Sequence, residues 1–526
     1  MRPAALFLAL LCLFITSVAG GKDAPAMAKN HRVLLVYPFT GSGLGDKNWI
    51  PAGITDAVLA DLGEVPGISV ISDKERHNAL REMELIQAGF LNDRNMKRLG
   101  ELSGADLILT GSCQMQNKDL RVTLKVMDAR TGRLVKSLKL DGSAEDLFAL
   151  QDRIVPELLP HLGEGGITKD AVMKLTGSRK GKTDPDAYEL YARGRALHAV
   201  DPAAALAYYR QAVEKDSGYY QALMKAGDTC EDLSRYGEAL EYYSKAARLL
   251  SKSRTEDSSA HAVLLNNRGL TYMHKGDFGK ALADYDRALA IRERNGTSRT
   301  LAFATLLNNI GTAYWTKGDY DRGIDYCMKA KKLREELGNV RSDEYAKVIN
   351  NLGVMLWNKK RYDEAERNYR QAKEIREKLK LQRTNGYASV LINLGALEGS
   401  RDNFREALKY YRQAQGIRDR LKLQNSREYA GLLNNMGVAH DGLKEYGKSL
   451  KCYQRSKEIR DRLGLNRTAS YAVMLRNMAM VYGRTRRSCE GLPLIRQACE
   501  ILEALEHPRL ASYRKTLKSF EKACSR

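Results

Sequence analysis

The fold of this chain is decided by the stretch Tyr345–Leu379, which reads YAKVINNLGVMLWNKKRYDEAERNYRQAKEIREKL and returns at an interval of 42 residues. Its signature is Asn350-Asn351-x-Gly353. Three other copies keep both Asn residues and the Gly, a fifth keeps the second Asn and the Gly, and a sixth keeps only the second Asn. Six copies at one interval predict an array of stacked units.

Each copy predicts two antiparallel helices. Its apolar and small positions recur three, four and seven residues apart, which is the spacing of a helix face, and a turn such as Lys275–Asp277 separates the halves. Gly353 and Ala365 let the two backbones approach closely, while Tyr362 and Tyr369 fill the space toward the next pair. Such a pair cannot bury its apolar face alone, so its stability comes from stacking on neighbours.

These residues resemble the tetratricopeptide repeats, in the 42-residue form of kinesin light chains. The resemblance rests on the small residue of the first helix, the aromatic residue and Ala of the second, and the ending Ile375-Arg376-Glu377. It implies an all-α superhelix that binds a peptide or protein partner in its concave groove. We expect two shorter repeats over 185–250, six 42-residue repeats over 258–505, and a capping helix over 506–526.

Residues 31–162 predict an α/β domain, because strand-like and helical runs alternate there. The predicted strands are Val33–Phe39, Ile68–Ser72, Leu107–Met115, Leu120–Asp128 and Leu134–Leu140. Helices are expected to begin near Trp49, Ser72 and Asn92, and a fourth to span about Ala144–Leu159. Residues 163–184 are expected to be a linker rich in Gly and Lys. The expected fold class is therefore an α/β amino-terminal domain followed by an all-α solenoid.

The α/β segment is similar to the TolB amino-terminal-like domain, which is related to the CsgG and FlgO type of envelope proteins. The similarity lies in Val33–Phe39, Gly53-Ile54, Pro66–Ser72, Gly104–Asp106 and Val126–Gly132. It covers about a quarter of the chain. The similarity implies association with a bacterial envelope or regulatory assembly.

Residues 1–20 predict a signal peptide that is cleaved after residue 19 or 20. Arg2 precedes an apolar run from Ala4 to Ile15, and Ser17 and Ala19 supply the small residues of a cleavage site. The run is short for a membrane span, which disfavours a retained anchor. We therefore expect an exported, periplasmic protein.

The formal net charge of +22 is unevenly placed, because residues 1–180 carry only +2 of it. The basic excess thus belongs to the repeats and the stretch leading into them. It predicts either an acidic partner or simply solubility. Nucleic acid is not expected as the partner of an exported protein.

The sequence contains no pattern that indicates catalysis, a cofactor or a metal. Gly41–Gly45 follows a strand but lacks the third Gly of a dinucleotide fingerprint, so we expect a flexible loop. The eight His residues are dispersed and match no catalytic or zinc motif. Seven Cys residues follow the predicted leader without the spacing of a zinc site, which predicts buried thiols such as Cys327. A bridge among Cys489, Cys499 and Cys524 stays open.

The second Asn of the signature is the candidate partner-binding residue. It occurs in all six copies, as Asn267, Asn309, Asn351, Asn393, Asn435 and Asn477. It lies about 200° around the first helix from the Gly that packs on the second helix, so it points to the inner wall of the stack. An amide can pair with the peptide groups of an extended ligand whatever the ligand's side chains. The resemblance to kinesin light chains implies that role. The alternative is that these amides bond within the array.

A second candidate is an Arg that recurs at the end of the second helix, as Arg292, Arg334, Arg376, Arg418 and Arg460. Such a charge stabilises the helix end through the macrodipole. The alternative is a stripe that binds an acidic ligand.

The leading hypothesis is a non-enzymatic scaffold of a bacterial envelope assembly, which binds a protein or extended peptide, possibly acidic, in the groove of its array. The second hypothesis is a structural component of a secretion or outer-membrane complex that acts through the α/β domain. An enzyme would need a convergent polar site that the sequence lacks.

Overall fold

The computed structural model describes residues 32–63, 65, 67–82, 93–162, 184–252 and 258–525. The predicted signal peptide and nearly all of the predicted linker lie outside these residues. The described part begins with an α/β domain and continues as an array of helical pairs. The predicted fold class, an α/β amino-terminal domain followed by an all-α superhelix, is confirmed.

The α/β domain contains a mixed sheet of six strands. They are β1 (Arg32–Val36), β2 (Thr40–Ser42), β3 (Ile68–Val70), β4 (Leu107–Gln116), β5 (Asp119–Asp128) and β6 (Leu134–Ser143). The order along the sheet is β3-β1-β4-β5-β6, with β1 parallel to β3 and β4, and with β5 antiparallel to both β4 and β6. The alternation of β5 places Leu120, Val122, Leu124 and Val126 in the core.

Four helices accompany this sheet. They are α1 (Ile50–Gly63), α2 (Asp73–Glu82), α3 (Asp93–Ser103) and α4 (Leu147–Leu158). The N–H of Glu75 donates to Ser72 Oγ over 3.2 Å, which is one half of the capping box expected at the start of α2. Ile54 and Val58 of α1 and Ile154 of α4 are buried against the β5 side chains.

The expected flexible loop after β1 is partly a strand. Thr40–Ser42 pairs in parallel with Ser112–Gln114 of β4, so the first residues of the loop are held by the sheet. The chain then turns at Gly43, which has a φ of 70°. A Cβ there would lie 2.8 Å from the carbonyl oxygen of Met115, so the Gly-rich run fits a close backbone approach at this edge.

The array consists of antiparallel helical pairs and a final helix. The pairs are α5 (Pro185–Leu197) with α6 (Pro202–Lys215), α7 (Tyr220–Asp232) with α8 (Tyr236–Lys252), α9 (Ser259–Lys275) with α10 (Phe278–Arg294), α11 (Leu301–Lys317) with α12 (Tyr320–Glu336), α13 (Asp343–Asn358) with α14 (Tyr362–Lys378), α15 (Asn385–Ser400) with α16 (Phe404–Arg420), α17 (Arg427–Gly442) with α18 (Tyr446–Arg462), and α19 (Ala469–Arg484) with α20 (Ser488–Ala504). The final helix is α21 (Leu510–Cys524).

Each long repeat begins at a capping hydroxyl. The side chain at the N-cap accepts a hydrogen bond from the backbone N–H three residues on, as Ser342 does from Tyr345 over 3.1 Å. The caps are Ser258, Thr300, Ser342, Thr384, Ser426 and Thr468. This hydroxyl recurs every 42 residues and is a mark of the repeat beyond the Asn signature.

The two helices of a pair are held together by a Gly that meets an aromatic ring. A Cβ on Gly353 of α13 would lie 2.6 Å from Cε1 of Tyr369 in α14, and the Tyr369 ring is buried. Because no side chain larger than hydrogen fits there, the backbones approach as closely as the sequence predicted. The same contact recurs at Gly194, Gly227, Gly269, Gly395 and Gly437.

The first helices of the pairs form the inner face of the array. Each first helix from α7 to α17 contacts the first helix of the next pair as well as its own partner. Consecutive helices are closer on the inside of a curved stack, so the array curves toward these helices. We call the surface formed by α5, α7, α9, α11, α13, α15, α17 and α19 the inner face.

The α/β domain packs against the amino-terminal part of the inner face. Helix α1 contacts α5, strand β3 contacts α11, and α3 contacts α13. One apolar core joins the two parts, because Leu301 of α11 and Leu379 and Leu381 after α14 are buried together with Leu35 and Leu99 of the α/β domain. The two parts of the chain therefore share a core.

Candidate functional site

The six candidate Asn residues lie half-buried along the inner face, and four of them take part in a ladder. Asn351 Nδ2 donates to Asn308 Oδ1 of the preceding repeat over 3.2 Å. Asn309 donates in the same way to Asn266, and Asn393 to Asn350, over 3.0 and 2.9 Å. The first Asn of each signature is thus the acceptor for the second Asn of the next.

The amino-terminal end of this ladder is a carboxylate. Asn267 Nδ2 donates to Asp228 Oδ1 of α7 over 3.0 Å; Asp228 directly follows Gly227 in the shorter repeat, where Met224 stands at the position of the first Asn. Bonds within the array, the alternative left open for these residues, therefore engage Asn267, Asn309, Asn351 and Asn393. Partner binding by the six Asn residues stays a prediction.

The ladder breaks at Ile392. This residue replaces the first Asn of its repeat, so it offers no acceptor to Asn435 of the next repeat. Among the described residues, the amide nitrogens of Asn435 and Asn477 donate no hydrogen bond within the protein. Asn434 Oδ1, the acceptor position for Asn477, is buried without a hydrogen-bond partner. Within the part of the chain that the structure describes, the array therefore does not use the amide N–H groups of Asn435 and Asn477.

The α/β domain covers the inner face at α5 and α7 through a cluster of buried charges. Arg195 Nη2 of α5 lies 2.9 Å from Asp56 Oδ1 and 2.8 Å from Asp73 Oδ2. Lys225 Nζ of α7 donates to Asp73 Oδ2 over 2.7 Å. Tyr191 also donates to Asp56. We call Asp56, Asp73, Arg76, Arg195, Lys225 and Asp228 the interface cluster.

The charges of the interface cluster set the pKa of Asp73. Burial alone would raise this pKa, but Arg195, Arg76 and Lys225 outweigh burial and hold it well below its ordinary value. The carboxylate is therefore ionised at every physiological pH. Three cations and three carboxylates balance in the cluster, which permits their burial.

A second polar contact joins the α/β domain to α11 and α12. Arg334 Nη2 donates to Glu75 Oε1 over 3.1 Å and to Thr305 Oγ1 over 2.9 Å. Thr305 in turn donates to Glu75 Oε1 over 3.3 Å. Arg334 is 1% exposed. The α/β domain thus inserts a carboxylate between two helices of one repeat.

The repeated Arg residues do not lie on an exposed helix end. All five are buried, and those beyond Arg292 reach toward first helices of the array. Arg376 Nε donates to Asp343 Oδ1 over 2.6 Å, and its Nη1 donates to the carbonyl oxygen of Gly386 over 3.2 Å. These cations lie in the last turn of their helices and also bond groups of first helices, so the macrodipole role and the acidic-ligand stripe both stay predictions. Their burial could not be predicted from periodicity, which marks a position without showing whether it faces water.

The acidic residue beside each Arg has a separate structural role. Glu335 accepts from the hydroxyl of Tyr345 over 2.7 Å, which ties the second helix of one repeat to the first helix of the next. The same bond joins Tyr387 to Glu377, Tyr429 to Asp419 and Tyr471 to Asp461. These carboxylates are consequently not the partners of the buried Arg residues.

In the described part of the chain, no group of three or more His, Cys, Asp or Glu is placed to hold a metal ion. Among the same residues, no helix is both long and apolar enough to cross a bilayer. His440, a lone His of the sequence, is buried and lies with its Nδ1 2.6 Å from Glu445 Oε2. It serves the packing of its repeat.

One disulfide closes the carboxy-terminal end of the array. It joins Cys489 of α20 to Cys524 of α21, which is the kind of bridge left open for the last three Cys residues. Cys499 stays a thiol, and Cys327 is fully buried in the position that Tyr occupies in other repeats. Burial raises the pKa of the Cys327 thiol to about 12, so it is unreactive.

Comparison with known proteins identifies the repeats. A family model for the tetratricopeptide repeat matches residues 219–294, 302–378 and 344–420, and another matches residues 266–337. A curated relative, "Putative adenylate cyclase 3" from Rhizobium meliloti (strain 1021), is 27% identical over 169 residues. The match covers 31% of this chain and 26% of the relative, so the chain spans about a quarter of that protein's length.

Three solved structures are similar over part of the chain. The apo form of RapI has a TM-score of 0.45 and 17% identity, and the match covers 55% of this chain and 98% of RapI. BtubC (BKLC) from P. vanneervenii has a TM-score of 0.35 and 22% identity, covering 44% and 90% of the two chains. A "Podosopora anserina putative kinesin light chain" has a TM-score of 0.35 and 12% identity, covering 39% and 97%.

The family models match residues of the array and none of the α/β domain. They leave the TolB similarity of the α/β domain as a prediction. Tetratricopeptide repeats are typically non-catalytic, and the printed name of the curated relative belongs to a protein of which this chain spans only a part. Residues 219–420 of this chain match models of the tetratricopeptide repeat, and such repeats suggest a protein-interaction scaffold.

Proposed function

We propose that this protein is an exported, non-enzymatic scaffold that holds an extended segment of a partner protein on the inner face of α15, α17 and α19. The observation that carries the proposal is the break in the Asn ladder at Ile392. Beyond this break the amides of Asn435 and Asn477 are half-buried on the inner face and donate no hydrogen bond to the described residues. An extended peptide offers carbonyl groups to such amides.

The described residues of the α/β domain bury a different part of the inner face. Its contacts with the array extend from α5 to the turn after α14, where Leu379 and Leu381 join its core. Val438 of α17 is 41% exposed on the same face, one turn from Asn435. An apolar side chain beside free amides suits a peptide whose backbone and side chains both contribute.

An envelope location is part of the proposal. The leader-like residues 1–20 and the bridge between Cys489 and Cys524 both favour an oxidising compartment outside the cytoplasm. The similarity of the α/β segment to the TolB amino-terminal-like domain favours a bacterial envelope assembly as the setting.

A second candidate function is a structural role through the α/β domain. Strand β6 pairs with β5 on one side, and it forms the edge of the sheet in the described part of the chain. Leu134 and Val135 on this strand are 53% and 52% exposed. An edge with exposed apolar residues can add a strand from another protein.

The test is site-specific photo-crosslinking in the native cells from a reactive residue placed at Val438. We expect one defined peptide segment to be crosslinked, and we expect the Asn435→Ala, Asn477→Ala double variant to lose it. Asn309→Ala is the matched control, because its amide bonds to Asn266 within the array. A crosslinked segment that persists unchanged in the double variant would refute binding by these amides. A partner crosslinked from Val135 alone would move the function to β6.

A further inference from the structure

The buried Arg at the end of each second helix meets a different environment in each repeat. Its neighbours on the first helix of the same repeat lie eight and four positions before the second Asn of the signature. In the repeat of Arg334, these neighbours are Leu301 and Thr305. In the repeat of Arg376, they are Asp343 and Lys347. The chain therefore repeats one cation in several surroundings.

Arg334 and Arg376 have a carboxylate partner among the described residues. For Arg376 the partner is Asp343 on its own first helix, at 2.6 Å. For Arg334 the partner is Glu75 of the α/β domain, because the first helix of its own repeat offers Leu301 and a hydroxyl instead of a carboxylate; Arg334 Nη1 also donates to Asn339 Oδ1 over 2.6 Å. Glu75 reaches this cation from the inner face, so an approaching carboxylate has access to the position. The α/β domain thus gives an example of how the inner face takes an acidic side chain.

The Arg residues of the next two repeats have no carboxylate partner in the described part of the chain. Arg418 is 2% exposed and donates to Asn385 Oδ1 over 3.0 Å and to Ser389 Oγ over 3.4 Å. Its Nη1 is buried without any partner. Burial lowers the pKa of Arg418, and the charge of Glu428 offsets only part of this effect without forming an ion pair.

The electrostatic environment of Arg460 is less favourable for a buried cation than that of Arg418. It is 5% exposed and bonds only to hydroxyls, to Ser456 Oγ over 3.4 Å and to Ser470 Oγ over 2.8 Å. Position 427, where Asp343 stands in the repeat of Arg376, is here another cation, Arg427. Burial and then the charge of Arg427 lower the pKa of Arg460. A buried cation without a counter-charge is costly, and binding of an anion removes that cost.

Resting on the function proposed above, we infer that the partner segment is acidic and that its carboxylates bind Arg418 and Arg460 as Glu75 binds Arg334. The geometry is matched at the first position. Ser389 bonds Arg418 at the place where Thr305 bonds Arg334, and Glu75 bridges the latter pair. At the second position Gly431 replaces the hydroxyl, and no atom lies within 4 Å of where its Cβ would stand.

The spacing of the two cations constrains the peptide. The first helices of the two repeats, α15 and α17, contact each other, and neighbouring helices pack at roughly 10 Å. An extended chain advances about 3.3 Å per residue. The two carboxylates are therefore expected about three residues apart. A partner segment of the form acid-x-x-acid follows from this spacing.

The experiment is a selection of random 12-residue peptides, displayed on phage, by the full chain. The informative variant is Asn385→Asp with Arg427→Asp, which supplies each cation with the carboxylate that Asp343 gives to Arg376. This change fills the sites without removing a buried group, so folding is not the obstacle. The control is Arg405→Asp with Gln413→Asp, which makes the same change of charge at exposed residues of α16.

We expect the wild type and the control to enrich acid-x-x-acid peptides, and the informative variant to lose that preference. Replacing both acids of an enriched peptide by their amides should weaken binding to the wild type about tenfold to a hundredfold. Enrichment of peptides without acids would overturn the inference but leave the groove function standing. Acid enrichment that survives in the informative variant would overturn it too, since general charge attraction would then suffice. Recovery of no peptide would refute both the peptide-binding groove and the acidic partner segment.

Discussion

The substitution Asp73→Asn is the most demanding test of whether the interface cluster holds the α/β domain on the array. The cluster balances Arg76, Arg195 and Lys225 against Asp56, Asp73 and Asp228. Removal of the Asp73 carboxylate leaves one excess positive charge, because Arg195 and Lys225 both lie within 2.8 Å of it. Breaking a buried pair from one side costs about 3–5 kcal/mol. Opening of the interface should become about a hundredfold to several thousandfold more frequent.

Hydrogen–deuterium exchange of α1 and α5 measures this opening directly. We expect the two interface helices to exchange faster in the variant by that factor, while α19, which lies far along the array, keeps its rate. Asp141→Asn is the control, because Asp141 pairs with Arg121 at the surface, where both side chains are more than half exposed. Equal exchange in Asp73→Asn and Asp141→Asn would refute the idea that the cluster holds the domain.

The same carboxylate gives the interface a pH dependence with a fixed sign. The pKa of Asp73 lies well below its ordinary value of 3.8 in the folded protein. A depressed pKa contributes stability that is complete above the unfolded value and is lost as the pH falls through the folded value. Docking should therefore be insensitive to pH between 5 and 8 for this group and should weaken below about 3.8. Exchange of α5 over a pH series, compared with Asp73→Asn, isolates this contribution.

Two further predictions concern the array. Gly353→Ala should destabilise the array by about 1–3 kcal/mol in a urea titration, because the added Cβ would overlap the Tyr369 ring. The control is Gly416→Ala, where no atom lies within 4 Å of the added Cβ, and it should be neutral or stabilising. Equal losses of stability in the two variants would contradict the packing account. The Cys489–Cys524 bridge closes a loop of 35 residues. In the chain-entropy model its reduction should lower the free energy of unfolding of α21 from the array by about 4 kcal/mol. Unchanged exchange of α21 after reduction would show that packing alone holds this helix.

The repeat was predictable because its copies can be compared with one another within one sequence. Six aligned copies expose which positions are constrained, so the helical pairs and the Gly contacts follow from spacing alone. The α/β domain followed from alternation, and each predicted strand has a counterpart, although Val33–Phe39 is shorter in the structure than in the prediction. Strand β2 was missed, since three exposed residues carry no alternation that could identify a strand.

The docking of the α/β domain could not be predicted, since it depends on residues far apart in the chain. Asp73 lies 152 residues from Lys225, and Glu75 lies 259 residues from Arg334. From the sequence alone, each carboxylate would be predicted to be an ordinary surface residue of a capped helix. The burial of the repeated Arg was missed for a related reason, because periodicity identifies a constrained position without telling whether its charge faces water.

One signal in the sequence does distinguish the last repeats once that burial is known. The position that faces the Arg is Asp343 in one repeat, Asn385 in the next and Arg427 in the third, so its charge changes from negative to neutral to positive along the array. A structural ion pair alone would give no reason to keep a buried Arg where its partner has become a cation. An array that keeps the cation and lacks the internal anion is suited to take the anion from outside. The α/β domain already does so with Glu75 at Arg334, and the same reasoning places the partner's carboxylates at Arg418 and Arg460.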